Sequence, residues 1–326
     1  MVDVSWIEGI LALTVQFGTV YLIASLGEIY VERSGILNLG MEGMMIVGAA
    51  IAFIFTNALG QLVSLVTVVL VGAALGLLLA FLVVTLRLNQ VVVGLAITLF
   101  GYGLSGLLTQ QAIRARIMRA LNPEVPESVI ITQQAEALRA VKVPYLSELP
   151  VLGSVLFSQN ALVYFALVAA VLMWFVLFRT SVGLAIRSVG ENPSMADSLG
   201  INVFRTRYAT SVVVGIMGCL AGAYLFIGYQ PFWVEMMTNG RGFIALALVI
   251  LASWSPIRAI FGALLFGGVE VLQFRLQLFG FAAQSPQFVL MLPYVVAIVT
   301  LSALSIESVR KRLGVPESLG KPYYRE

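Results

Sequence analysis

Long apolar stretches separated by short polar joints run along most of the chain. Measured against the roughly 20 residues that cross a bilayer as a helix, they predict nine spans, at 7–27, 37–57, 62–85, 91–109, 161–178, 208–229, 243–254, 259–279 and 286–304. The seventh is short, so the count lies between eight and ten. The reading is an all-α, polytopic transmembrane helical bundle, a single domain over residues 1–326. Two polar segments interrupt it, a loop at about 110–160 and an island at about 179–207.

The island is too short to fold alone and too regular for a slack loop. Ser188-Val189-Gly190-Glu191-Asn192-Pro193, followed by Ala196 and Leu199-Gly200-Ile201, predicts a helix broken at Gly190. Asn192 recaps it with Pro193 in the first turn, and Gly200 stops it. A small capped helix between two spans offers a handle to a soluble partner. A merely solvated loop would not need a cap, a break and a stop in those places.

Composition then removes whole classes of function. Hydrophobic residues make up 60% and charged ones 11%, against about 25% charged in soluble domains. There is no histidine, and the one cysteine, Cys219, lies in an apolar run. A metal centre, an internal disulfide and a catalytic set are therefore not expected. Of the three lysines, Lys142, Lys311 and Lys321, only the last follows a glycine, and Pro322 comes after it. No phosphate loop can be built from this chain. The start of the chain lacks the basic segment of a cleavable signal.

Orientation follows from the basic residues. With the island in the cytoplasm, Arg33, Arg87, Arg258 and the tail residues Arg310, Lys311, Arg312, Lys321 and Arg325 share its side, as the positive-inside rule asks. The N-terminus is then outside and the C-terminus cytoplasmic. Arg114, Arg116 and Arg119 fall outside, in a long loop where the rule weakens.

Within the spans, Gly35, Gly40, Gly43 and Gly48 thin one side of the second. They permit close packing or an unwound stretch along a cavity. Gly94, Gly101, Gly103 and Gly106 in the fourth leave the same choice. Glu42 and Glu270 are intramembrane carboxylates, each costing about 2.5–3.5 kcal/mol to insert if charged, so each bonds a neighbouring helix or faces a path. Glu270 and Arg275 do not share a helical face and are not expected to pair. Gly240-Arg241-Gly242 predicts a helix that starts inside the membrane, its N–H groups available to anionic or electron-rich groups.

The stretch GLAIRSVGENPSMADSLGI (183–201) resembles the coupling segment of permeases of binding-protein-dependent ABC importers, in the branched-chain amino-acid and simple-sugar permease family. There the pattern is G-x-x-x-R-A-x-G-x-N-x-x-A-A-x-x-x-G-I; here Ser188 and Asp197 replace alanines. ERSGILNLGMEGMM (32–45) and GRGFIALALVILASWSP (240–256) are similar to its nucleoside and simple-sugar branch, where a glycine often stands at Ala252 or Ser253. The likeness covers most of the chain, 28–270 above all.

The resemblance implies a non-catalytic transmembrane subunit that moves nucleosides, purine nucleosides foremost, across the cytoplasmic membrane of a prokaryote. A separate ATPase subunit would use ATP and Mg, this chain binding no cofactor. Arg187, Gly190, Glu191, Asn192, Ala196, Asp197, Gly200 and Ile201 would meet that ATPase. A second homologous permease, in a heterodimer or homodimer, and an extracytoplasmic solute-binding lipoprotein complete the implied set, with membrane lipid and without nucleic acid. Asn38, Glu42, Asn89, Phe100, Asn239 and Glu270 are the candidate path residues. A ribose- or galactose-type sugar or riboflavin stays open as the solute. An ATP-independent facilitator or channel is the competing class.

Overall fold

The structure, a computed structural model, describes residues 4–277, 286–304 and 314–324. Arg310, Lys311, Arg312 and Arg325 lie outside the described residues. The chain opens with α1 (Val4–Arg33), α2 (Met41–Leu59), α3 (Gln61–Ala80) and α4 (Gln90–Thr109). The loop that follows holds α5 (Gln111–Leu121), α6 (Glu127–Ile131), β1 (Ala140–Lys142), α7 (Leu152–Leu156) and β2 (Ser158–Asn160). The bundle resumes with α8 (Ala161–Arg179), the island helices α9 (Ser181–Glu191) and α10 (Pro193–Ser198), and α11 (Val203–Ala223). It closes with α12 (Arg241–Leu251), α13 (Pro256–Leu276), α14 (Pro286–Leu290) and α15 (Leu292–Leu304).

Seven described helices are long and apolar enough to cross a membrane: α1 from Ile7, α2, α3 extended by a π turn to Thr85, α4, α8, α11 extended by a π turn to Tyr229, and α13. Two shorter apolar helices, Arg241–Leu251 and Gln287–Ser302, stand where the seventh and ninth spans were expected. An 11-residue helix is only about 16 Å long, half of a hydrocarbon core of roughly 30 Å.

The centre is α1, α2 and α11. The most apolar windows of α2 and α11 are 78% buried, against 33% for α4 and α8 on the outside. Glycine lets these backbones touch, since an apolar solvent gives helices little other reason to associate than close packing. A Cβ on Gly48 of α2 would lie 2.1 Å from the Cys219 carbonyl oxygen of α11. On the seam between α2 and α4, a Cβ on Gly101 would lie 2.5 Å from the Gly43 carbonyl oxygen. Gly103 and Gly106 have nothing within 4 Å of that position. The glycines of α4 therefore divide: Gly94 and Gly101 pack, while Gly103 and Gly106 bare the outward face.

The two polar segments sit at opposite ends of the bundle. Near the start of α1, Glu8 accepts from Val151 N (3.1 Å) and Ser154 Oγ (3.2 Å) of the loop. At its other end, the Arg33 carbonyl is pressed against Gly190 of the island. β1 pairs antiparallel with β2, Ala140 opposite Asn160, and a bridge from Gln134 to Phe232 ties the loop to the stretch after α11. Arg114, 1% exposed, fastens this end. Its Nη2 donates to Ile130 O (2.7 Å) and its guanidinium lies 4.7 Å over Phe53, which stacks on Trp233. Burial pulls the Arg114 pKa below the ordinary arginine value.

Gly48→Val is expected to lower the midpoint of thermal unfolding in detergent by several degrees, because overpacking a close seam costs about 1–3 kcal/mol. Gly103→Ala, with open space to fill, should leave the midpoint unchanged.

Candidate functional site

Two breaks in the helical pattern meet inside the bundle. The first follows α1, where Gly35 (φ +88) turns the chain and residues 36–40 run back inward without helix. Buried backbone outside a helix must find other partners. Leu37 N donates to Gln90 Oε1 (2.7 Å), Gly40 N to Asn38 Oδ1 (2.9 Å), and Leu39 O accepts from Thr98 Oγ1 (3.0 Å). Asn38 Nδ2 in turn donates to Glu28 Oε2 (3.0 Å) of α1. The second break is the stretch 230–240 after α11, from which α12 starts at mid-bundle.

The N-termini of α2 and α12 converge on one carboxylate. The first N–H groups of a helix lack partners within it and carry partial positive charge. Glu42, in the first turn of α2, accepts from Gly240 N at Oε1 (2.8 Å) and from Gly242 N at Oε2 (2.6 Å). Tyr102 OH donates to Oε1 at 3.3 Å. Gly242 has to be glycine, because a Cβ would lie 2.5 Å from Glu42 N. The expectation that the N–H groups of α12 stay open to a passing anion is thereby corrected: the chain's own carboxylate takes two of them.

Beside this cap lies a buried ion pair. Arg241 donates from Nε to Glu270 Oε1 (3.0 Å) and pairs with it through Nη2 as well. Tyr21 OH donates to Glu270 Oε2 (2.8 Å), and Arg241 Nη1 donates to Met237 O (2.8 Å). The Arg241 and Glu270 side chains are 10% and 4% exposed. The cavity between them, Asn239 and Tyr294 measures about 20 Å³, room for a water and not for a solute.

Of the candidate path residues, Glu42, Asn239 and Glu270 gather here. Asn239 O accepts from Tyr294 OH (2.5 Å). Asn38 lies deeper in the packing between α1 and the start of α2. Asn89 caps α4, accepting from Val91 N (3.0 Å) and Val92 N (3.2 Å). Phe100 is on the exposed face of α4. Sequence reasoning missed Tyr21, Gln90, Tyr102 and the pairing of Arg241 with Glu270. The last had a signal: two intramembrane carboxylates and one arginine framed by glycines.

A wide pocket of about 750 Å³ opens at the loop end, lined among others by Gly106, Gln110, Gln111, Gln133, Phe232 and Glu235. Its polar side chains are three amides, the Thr109 hydroxyl, the Trp233 indole and one carboxylate, with no cation in the lining. Amides and a carboxylate suit hydroxyl and amide edges, whereas an anionic group finds no charged donor there.

At the island end, α9 runs through Gly190 to Glu191 and the break falls at Asn192. The break expected at Gly190 is corrected, because that glycine serves close approach: a Cβ would lie 2.1 Å from Arg33 O. Asn192 Oδ1 accepts from Met195 N (3.0 Å), Pro193 occupies the first turn, and Gly200 (φ +86) ends α10. Ala196 is buried, Glu191, Asn192 and Gly200 are exposed, and Ile201 is half-buried. The Arg187 guanidinium lies 5.3 Å from the Phe178 ring centre, and Asp197 accepts from Tyr323 OH (3.0 Å). Leu184, Met195 and Leu199, the last 76% exposed, line a groove of about 370 Å³ that residue-by-residue reasoning overlooked.

The same end draws the three singled-out stretches together. Arg33 donates from Nε to Trp254 O and from Nη2 to Ser253 O, both at 3.3 Å. Trp254 Nε1 donates to Glu32 Oε2 (2.5 Å). Ser253 and Trp254 sit at φ +50 and +53, a region unfavourable to residues with side chains. A glycine at either position would relieve that strain.

Arg241→Ala is expected to destabilise the protein by about 3–5 kcal/mol, since it leaves Glu270 buried without a counter-charge. Arg241→Ala combined with Glu270→Ala should be milder than the two single losses added together, as a double-mutant cycle on detergent unfolding would read.

A family profile described as the permease component of the branched-chain amino acid transport system matches residues 9–301. TsgC13 of Haloferax volcanii, whose name offers it as a candidate glucose ABC transporter permease, is 37% identical over 99% of this chain and 99% of its own. The guanosine ABC transporter permease NupQ of Bacillus subtilis is 32% identical, covering 96% of this chain and 95% of its own. The nucleoside ABC transporter permease NupC of Lactococcus lactis is 33% identical, covering 92% and 93%. No solved structure matches the chain. A match across nearly the whole bundle, with glycine-packed spans and broken helices inside it, makes this chain a multi-pass ABC transporter permease that belongs to the branched-chain amino acid permease family.

Proposed function

We propose that the chain carries an uncharged nucleoside, a purine nucleoside foremost, across the cytoplasmic membrane as one permease of an ATP-driven importer. The observation that carries the choice of solute is the likeness to NupQ and NupC over more than nine-tenths of this chain. The loop-end pocket supports it, with amides for a base edge and ribose hydroxyls and Phe232 for the face of a base. The self-capped N-terminus of α12 also suits a neutral solute. A simple sugar is the second reading, favoured by the likeness to TsgC13.

In this reading the whole chain is one transmembrane domain that crosses nine times. The stretch 230–240 with α12 makes one crossing, and α14 with α15 another. The N-terminus and the 110–160 loop face outward to a solute-binding lipoprotein. The island and the tail face the cytoplasm. An ATPase subunit, which alone holds ATP and Mg, seats on Leu184, Met195 and Leu199. A second, homologous permease lies along the bared glycine face of α4, and the path runs between the two by alternating access.

The test is purification of the tagged chain from native membrane in mild detergent. An ATPase and a second permease should accompany it, and Leu199→Asp should cut the ATPase recovered by about tenfold, the effect of losing one apolar anchor. Uptake of labelled purine nucleoside should be competed by the unlabelled nucleoside and not by its monophosphate. Competition by ribose alone would favour the sugar reading. A chain that purifies alone and moves solute in ATP-free liposomes would overturn the importer.

A further inference from the structure

The C-terminal residues 314–324 lie across the joint between the island and the bundle. α9 ends at Glu191, so the carbonyls of its last turn have no partner within the helix. Ser318 supplies one from 128 positions away: its N–H and Oγ both donate to Gly190 O, at 2.9 and 2.7 Å. Ser318 is itself buried. Gly320 N donates to Gly35 O (3.2 Å), at the turn between α1 and α2. Gly314 O accepts from Arg33 Nη1 (3.1 Å).

The far end of the same segment holds α10. Tyr323 is buried with Val189, Ala196 and Val203, and its ring meets Phe204 edge-on at 6.0 Å. Its hydroxyl donates to Asp197 Oδ2 (3.0 Å). Arg87, after α3, lies 4.7 Å over the Tyr324 ring. Eleven residues thus bind α9, α10, the turn at Gly35 and the end of α3 into one body. Gly35 records how tight the fit is, since a Cβ there would lie 2.2 Å from Ser318 Oγ.

We propose that this segment is a positioning strap for the coupling segment. Ser318 and Tyr323 hold the α9–α10 elbow on the turn between α1 and α2, so that a displacement of α10 moves the spans and not the elbow alone. The proposal rests on the reading of α10 as the ATPase-facing helix. Without the strap, α10 still presents Met195 and Leu199, and the ATPase still binds and turns over. Its motion is then absorbed where the elbow slides on Arg33.

The experiment uses the complex purified from native membrane and reconstituted in liposomes, comparing solute taken up per ATP hydrolysed. For Ser318→Ala combined with Tyr323→Phe, the ATPase should co-purify in its usual amount and hydrolysis should stay within about twofold. Uptake per ATP should fall by about tenfold. Amide exchange across 186–199 should speed up, and Ser318→Thr with native Tyr323 should restore coupling. A chain ending at Lys321, which keeps Ser318 and loses Tyr323, gives the same reading by an independent route. Unchanged uptake per ATP in both variants overturns the strap. Loss of the ATPase from the complex overturns it too, by making the segment part of the docking surface. The ATPase-facing reading fails separately, if Leu199→Asp leaves ATPase recovery intact.

Discussion

Glu42 is the group on which the interior depends. α2 runs from it toward the loop end, where Ala58 O accepts from Asn122 Nδ2, and α12 runs from it toward the island end, where Arg33 holds Ser253 and Trp254. Two half-positive helix ends therefore point at each other inside an apolar bundle. Left alone they would repel and strand backbone donors at a cost of several kcal/mol each. A single carboxylate in the first turn of α2 puts negative charge between the two ends and takes the Gly240 and Gly242 donors of α12. The bare Gly242, the hydroxyl of Tyr102 and the glycine seam that brings α4 alongside are all conditions for that placement. The Arg241–Glu270 pair, with Tyr21, then ties the meeting point to α13 and α1.

Arg33 plays the matching part at the island end. It terminates α1, it receives Gly190 against its carbonyl, and its guanidinium braces a strained turn between α12 and α13. From the island surface to Glu42 there is consequently an unbroken run of hard contacts: α10 to α9, Gly190 to Arg33, Arg33 to Ser253 and Trp254, and α12 to its cap. Close-packed interiors of this kind shift as units and do not deform by degrees.

How much of this was legible in the sequence depends on the range of each interaction. Composition and run length suffice for an all-α membrane bundle, because nothing else tolerates so much apolar surface. The caps at Asn192 and Gly200 are local chemistry and could be read directly. Gly190 could not, since a glycine that breaks a helix and one that lets a helix touch Arg33 look alike in a string of letters. α12 read as short for the right reason, the polar Gly-Arg-Gly before it, but the partner of Arg241 lies 29 residues away on another helix and no periodicity connects them. Asn38, Asn89 and Phe100 shared polarity or aromaticity with the residues around Glu42, and the fold placed them elsewhere. The strap was least legible of all, because Ser318 and Tyr323 carry no local signal and meet α9 and α10 only after the chain has returned from the far end of the bundle.

A helix that begins in mid-bundle would ordinarily be a resting place for ions, and a protein holding one across an energised membrane would leak. Here the donors of α12 that face the meeting point are already engaged by Glu42, and the charge of Arg241 by Glu270. A small anion reaching that helix end finds its donors already taken. An ion-binding niche is in this way turned into a fastening between two helices, closed by the chain's own charges.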